Sequence, residues 1–508
     1  MKLSLLDRAI AAFSPQAGLQ RALARQAIDA VAGVSRGYEG AKTGRRTDGW
    51  IAGGTSANAE IGPAMDRLRA SARDLVRNNT WGERSAQIWR AYLVGAGIIS
   101  RPTVPGADGT ADKAATAKLR GEFDRWAEQC DADGVTDWYG IQSQIAESVA
   151  VDGEVLLRRR WRWKADGMRV PFQLQLLEAD FLDGGKSEAL NDGGWILQGK
   201  QYDARGRLTG FWLFPSHPGD LLPGVQKGYT SRFVPAGDVL HVFEPRRPGQ
   251  VRGASWYAPI VMKLRDIDDY DDFEIVRKKV EASMAAFVTR QANATNPLTT
   301  TTTDAAGKRI ETIRPGTIHY LPSGDEVKFS EPTGAGGYGE YMRVGAQRIA
   351  AGIGMPYELL TGDLGNVNYS SMRGGMLPFK RIIQRRQWQV LIPQLCRPVV
   401  RWWNEAAALG DVAVPENAVW RHTPPRFEYV NPLDDVQADK LAIRAGLEPF
   451  DEIVASNGWD AEEVVENMAR WNEIFDRHGL TLDIDPRRIS NAGVVQSSDK
   501  AAATKPKE

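Results

Sequence analysis

The sequence predicts an α+β fold, and three observations carry that prediction. Apolar residues recur every three or four positions in the first third of the chain and again from about residue 257, as on the buried stripe of a helix. From Gly153 the period drops to two, with Val155, Leu157, Trp161 and Trp163 alternating with arginines. Gly, Asp and Pro turns separate the strand-like runs without any βαβ repeat, so antiparallel pairing is expected.

Bulk properties narrow the field. At 508 residues the chain exceeds the roughly 250–300 residues that one core serves. Its apolar fraction, 42%, is that of a globular protein. Lys and Arg together number 64, and so do Asp and Glu, so there is no basic surplus for bulk attraction to nucleic acid. Cys130 and Cys396 stand far apart and make neither a disulfide framework nor a thiolate metal site, which fits a reducing compartment. The opening Met1-Lys2-Leu3 lacks the apolar stretch of a secretion signal, and no run of 18 apolar residues exists, so no membrane association is expected.

Taken in order, residues 1–32 read as helical, with Leu3, Leu6, Ile10 and Phe13 at helical spacing. Residues 33–58 are rich in Gly, Ser, Thr and Asn and read as an irregular arm; its Tyr38 and Trp50 suit contact with a neighbour. Helices are expected over 59–81, 82–93, 115–130 and 138–150, with a loop at 101–114. Strands are expected near 172–177, 195–198, 211–214 and 239–244. A long amphipathic helix follows, carrying Leu264, Ile267, Tyr270, Phe273, Val276 and Val280, with a length of roughly 35–40 Å. The Thr-rich stretch 291–310 and short strands around 317–320 and 327–329 come next. Further helices are expected at 339–352, at 370–405 with bends at Pro378, Pro393 and Pro398, and at 434–445, 449–456 and 460–478. Between the first two lies a Gly- and Asn-rich loop, 354–368. The tail from about 481 is polar and expected to be disordered.

Charge is segregated. The amphipathic helix holds Asp266, Asp268, Asp269, Asp271, Asp272 and Glu274, more carboxylates than helix capping needs. Segment 373–403 holds Arg373, Lys380, Arg381, Arg385, Arg386, Arg397 and Arg401 and no acid, so the two could pair across a subunit boundary. Carboxylates facing a duplex would repel phosphate and let it slide. In a strand, Arg158, Arg160 and Arg162 share one face, while Arg159, Trp161 and Trp163 share the other. That group suits a subunit interface, where Arg and Trp are favoured, better than a nucleic-acid patch.

Catalytic signatures are missing. There is no phosphate-binding Gly-x-x-x-x-Gly-Lys loop, no His-Glu-x-x-His and no Gly-x-Ser-x-Gly elbow. His217, His241, His319, His422 and His478 are too scattered to suggest a metal site. The pairs Asp268–Asp271 and Asp268–Asp272 leave a rival reading open, a metal-dependent nucleic-acid-processing enzyme. No catalytic residue, cofactor or metal is expected on the main reading.

Specific motifs point further. They are Tyr38-Glu39-Gly40-Ala41, Ser56-Ala57-Asn58-Ala59-Glu60, Arg73-Asp74-Leu75-Val76-Arg77-Asn78-Asn79 and Gly253-Ala254-Ser255-Trp256. The strongest runs from Gly352-Ile353-Gly354-Met355-Pro356-Tyr357-Glu358-Leu359-Leu360-Thr361-Gly362-Asp363 into Asn368-Tyr369-Ser370-Ser371. With these, the chain resembles the lambda-type portal proteins of tailed bacteriophages over about residues 30–480. The resemblance implies a portal fold. Its wing would be 33–256, its first stem helix 257–290 and its clip 291–337. A second stem helix would cover 338–354 and a tunnel loop 355–372. A long helix and return wing segment would take 373–432, and an α-helical crown 433–480.

Portals of that family form rings, typically of twelve subunits, at one vertex of the head. The resemblance therefore implies a cyclic homo-oligomer that conducts double-stranded DNA during packaging and ejection. Its implied partners are the terminase large subunit, a major capsid or scaffolding protein and a head–tail connector protein. Its location would be the virion, after assembly in the host cytoplasm. Thr361, Gly362, Asp363, Leu364, Gly365, Asn366, Val367 and Asn368 would face DNA. A portal from a defective prophage or gene-transfer particle would share the structure but have an altered role.

Overall fold

Short polar side chains set where the first helices begin. Asn79 accepts from the Gly82 amide at 2.8 Å, Asp112 from Ala115 at 3.0 Å and Asp137 from Gly140 at 2.7 Å, each capping an otherwise unpaired N–H. The resulting helices are α1 (Ala57–Asn78), α2 (Thr80–Leu93), α3 (Lys113–Glu128) and α4 (Trp138–Val151). This computed structural model describes residues 45, 48–49, 53–107, 111–220, 230–282, 287–290, 302–303, 309–310, 319–322, 337–365, 368–427, 431–457, 459, 461–480 and 482. The expected helix over 1–32, Tyr38 and Trp50 of the arm, the strand at 327–329 and the tail from 483 lie outside the described residues. The chain divides into two compact units, Met1–Ser56 and Ala57–Glu508, and the described helices and strands belong to the second.

After α4 the chain enters sheet. Strand β2 (Glu154–Trp161) is central, with β3 (Phe172–Glu178) and β9 (Val239–Phe243) antiparallel on its two sides. A second antiparallel sheet runs in sequence order through β4 (Glu188–Ala189), β5 (Trp195–Leu197), β6 (Lys200–Tyr202), β7 (Leu208–Leu213) and β8 (Arg232–Pro235). The antiparallel α+β body expected from the sequence is present. The loop expected at 101–114 is not all loop. Ile99–Thr103 forms strand β1 and pairs antiparallel with β14 (Val419–Thr423). Pro102 is tolerated because a two-stranded sheet is all edge.

The main core is aromatic. Trp89 meets Trp256 edge-on at 4.9 Å, and Phe123 packs against Trp126, Trp403 and Trp420 at 5.5, 5.6 and 5.0 Å. The Arg386 guanidinium packs against both Trp89 and Trp256, 4.5 and 3.4 Å from the two ring centres, and is bonded to Glu244. Arg386 is thus a core residue. Burial pushes its guanidinium down to about 10 against the pull of Glu244.

The rest is helical. Helix α5 spans Val261–Ala282, so it begins later and ends earlier than the expected 257–290. Its 22 residues reach about 33 Å, short of the expected length. Among the described residues four short strands follow: β10 (Phe287–Arg290) pairs parallel with β13 (His319–Pro322), and β11 (Thr302–Thr303) antiparallel with β12 (Arg309–Ile310). Then come α6 (Tyr338–Ile353), α7 (Tyr357–Thr361) and α8 (Tyr369–Arg386). The segment 355–372, expected as a loop, therefore contains a helical turn. The Leu360 side chain, 1% exposed, ties that turn to the core.

Pro393 sits in a π-helical stretch, Gln387–Cys396, which joins α8 to α9 (Arg397–Leu409). The wider turn accommodates a residue that cannot donate an intrahelical bond. Helices α10 (Pro432–Arg444), α11 (Phe450–Ser456) and α12 (Ala461–His478) complete the described chain. Among the described residues no helix is long and apolar enough to cross a membrane.

Candidate functional site

Helices α5 and α6 form a pair whose contact depends on small residues. A Cβ on Gly345 would lie 2.5 Å from Ile267 Cδ1, and one on Gly352 would lie 2.5 Å from Ile260 Cγ2. Leu264 and Ile267 are buried on the inner side of α5, and Ile349 and Ile353 on α6. Tyr270 stacks on Tyr338 at 6.0 Å and packs against Tyr341 at 4.5 Å. The Tyr338 hydroxyl donates to Asp271, and that bond pushes its pKa up to about 12.

The acidic residues do not share one face. Glu274 is buried and bonded to Arg277, which holds its carboxyl below the usual range. Asp271 is turned toward Tyr338. Asp266, Asp268, Asp269 and Asp272 are exposed. Lys263 lies 3.3 Å from Asp266, and Arg265 lies 3.9 Å from Asp269. Among the described residues no ion pair reaches Asp268 or Asp272. The apolar side chains expected to be buried with Leu264 are not all covered: Phe273 is 73% exposed and Val276 54%.

The loop after α6 is held by its own side chains. Thr361 Oγ1 donates to the Tyr357 carbonyl at 2.9 Å, and Gly362 ends α7 in the left-handed region at φ 72°. The Tyr357 hydroxyl donates to Asp363 at 3.0 Å, and Asp363 accepts from the Gly365 amide at 3.1 Å. Leu364 is 58% exposed. Asn368 caps α8 and exchanges bonds with Ser371 in a capping box. Asn366 and Val367 lie outside the described residues.

The arginine–tryptophan group is reshaped by its strand ending at Trp161, so the predicted two-face alternation does not continue through Arg162 and Trp163. Arg159 makes the main contacts, bonding Asp238 at 2.9 Å and Glu405 at 2.6 Å, with Trp161 and Trp402 rings 4.5 and 5.3 Å away. Arg162 donates to Gln173 at 2.6 Å. Burial, then the neighbouring Arg160, push the Arg158 guanidinium down. Trp163 is 82% exposed. Of the basic segment 373–403, Arg385 and Arg386 are bonded to Glu244 in the same chain, and Lys380 lies over Phe427 at 5.3 Å. Those three are committed internally rather than left for a neighbour.

A buried charge centre around Glu154 was not foreseen from the sequence. Glu154, fully buried, receives bonds from Arg69 at 3.2 Å, Arg252 at 2.9 Å and His241 at 2.9 Å. Burial alone would raise its pKa, but Arg252 and His241 hold it well below the carboxylate range. Burial, then Lys200, hold His241 down to about 4. Nearby, Glu178, Asp180 and His217 come within 4.8 Å of one another, a grouping their sequence spacing did not suggest. Arg73 already bridges Glu178 and Asp180 at 2.8 Å each and Asp152 at 2.7 Å, so a guanidinium supplies the positive charge there.

Comparison with known proteins agrees with the motif reading. A probable portal protein of Halomonas phage phiHAP-1 is 28% identical over 468 residues, 88% of each chain. The portal protein of Escherichia phage N15 is 22% identical over 522 residues, covering 91% of this chain and 95% of its own. A solved chain from the neck of a native gene-transfer-agent particle, computed with C12 symmetry, aligns at 14% identity with a TM-score of 0.40, over 77% of this chain and 96% of its own. The family profile described as phage portal protein, lambda family, matches residues 43–387, more than half of the sequence. The chain therefore belongs to the lambda family of phage portal proteins.

Proposed function

We propose that copies of this chain close into a ring, twelve in the phage head, around a channel for double-stranded DNA. The ring occupies one vertex of the head. On this reading α5 and α6 are the stem, 291–337 is the clip that docks the terminase large subunit and later the head–tail connector protein, and α10–α12 form the crown. The body before α5 is the wing, which meets the major capsid or scaffolding protein. The chain serves as conduit, with nucleotide hydrolysis left to the terminase.

The observation that carries this reading is the outward side of α5. In a portal-family chain, Met262, Phe273 and Val276 are 63%, 73% and 54% exposed between carboxylates. Lone apolar side chains on a surface are ordinary, but a stripe of them along one helix marks an association surface. Static light scattering of the full-length protein at several salt concentrations tests assembly. A mass of many subunits is expected, and a monomer throughout contradicts the ring.

The loop after α7 is the DNA-facing segment. Its carboxylate, Asp363, is turned back onto Tyr357, so contact with phosphate is light. Deleting 361–367 leaves rings intact and impairs DNA packaging or retention. Normal packaging by that deletion removes the loop from the channel.

A further inference from the structure

We propose that helices α10–α12 are latched onto the body by charge rather than by a core, across a cleft with oppositely charged walls, and that rising ionic strength releases them. The latch lies within one subunit, so it stands whether or not copies close into a ring.

The cleft has a volume of about 1200 Å³ and separates β1, α3, β14 and the α8–α9 stretch from α10–α12. Its charged lining is sorted by wall. The body contributes Arg101 of β1, Lys113 and Arg120 of α3, Lys380 of α8 and Arg397 of α9. Arg421 of β14 and Arg426 just beyond it join them. The facing helices contribute Asp435, Asp451, Glu452, Glu462, Glu463 and Glu466. Among the described residues no carboxylate lines the first wall and no base lines the second. His422 also lines the body wall, but burial and then Arg397 hold it down to about 4, so it adds no charge at neutral pH. Asp124 interacts with Arg120 and Arg101 from outside the lining and offsets part of their charge.

Ion pairs join the walls. Lys113 meets Glu466 at 3.0 Å, Arg120 meets Glu463 at 2.5 Å and Arg421 meets Asp451 at 3.1 Å. Arg426 meets Asp439 of α10 at 2.7 Å. No core accompanies them: no described residue from 431 to 480 is buried, and none belongs to the aromatic core of the body. Even the tryptophans at the cleft stay open, Trp388 at 52% and Trp459 at 65%. Parts of a chain that meet without a large apolar contact are free to move relative to one another. Exposed ion pairs are individually weak, and salt screens them: the Debye length falls from about 30 Å at 0.01 M to about 3 Å at 1 M. The closed position of α10–α12 is therefore set by ionic strength, and opening uncovers a wall of seven bases.

The test is a distance measurement within one subunit. Spin labels go on Lys118→Cys in α3 and Asn467→Cys in α12, both exposed positions, while Cys130 and Cys396 are buried and stay unlabelled. Labelled copies are mixed during assembly with an excess of unlabelled wild type, so that measured distances lie within one chain. Pulsed electron resonance is expected to give one short, narrow distance at about 0.01 M salt and a longer, broader one at about 1 M. Lys113→Glu/Arg120→Glu is expected to lose the short distance at low salt, with an unchanged circular dichroism spectrum. Adding Glu463→Arg/Glu466→Arg to that variant is expected to bring it back. A short distance that survives either high salt or the double reversal overturns the latch. Opening by the double reversal that the fourfold variant does not undo also overturns it.

Discussion

Glu154 is a buried carboxylate that ties together distant parts of the body. Its carboxylate joins Arg69 of α1, Arg252 of the loop before α5 and His241 of β9. Glu154→Gln leaves two buried guanidinium groups short of charge, and breaking such a centre costs about 3–5 kcal/mol. A matching fall in denaturation midpoint is expected in urea titration. His241 adds a pH dependence. It is neutral in the fold, donating from Nε2 to Glu154 while Nδ1 accepts from Lys200 at 3.2 Å. The unfolded chain takes up a proton near pH ~6.5 that the fold refuses until about 4. Stability therefore falls as pH drops through that window. His422, pushed down to about 4 by burial and then Arg397, acts in the same direction. Glu154 works in the same sense at lower pH, losing its contribution as pH falls through its depressed value. Thermal melts should decline steadily from neutral pH toward 5, and His241→Gln should flatten the decline. None of this was legible in the sequence, because Glu154 and Arg252 are 98 positions apart and only the folded sheets bring them together.

At the scale of elements, legibility followed length and local chemistry. Most helices after 57 were legible because they have a three- or four-residue apolar period, and several open on an Asn or Asp cap, whereas the five-residue α7 was read as loop. Strands β4, β6 and β8, of 2, 3 and 4 residues, were missed because alternation needs a longer run to show. Strand β1 was missed because its partner lies beyond residue 418 and Pro102 reads as loop. One motif that reads as pure sequence signature has a steric cause. A Cβ on Gly253 would sit 2.1 Å from the Gly153 carbonyl oxygen, and one on Gly153, at φ 92°, would sit 2.3 Å from the Ala254 carbonyl carbon. Two backbones cross there at the join of α4, β2 and the segment leading to α5. Gly153→Ala is expected to destabilise by about 1–3 kcal/mol, read as a lowered melting temperature. An unchanged melting temperature would mean the crossing relaxes freely.

For the whole molecule, the family was legible from motifs spread over most of the chain, while the geometry of the candidate site was not. The acidic run 266–272 looks uniform in sequence, yet the fold turns Asp271 inward to Tyr338 and leaves Asp268 and Asp272 outward. The basic segment 373–403 looks like a partner for it, yet Arg385 and Arg386 are bonded to Glu244. Helix period shows which residues share a face but not which neighbour that face meets. The central claim is that many copies surround a hole with α5 and α6 lining it. Electron cryomicroscopy of the purified full-length protein tests it directly. The account predicts annular particles with Val261–Ala282 and Tyr338–Ile353 around a hole wide enough for duplex DNA. Monomers, or rings with those helices on the outer rim, would contradict it.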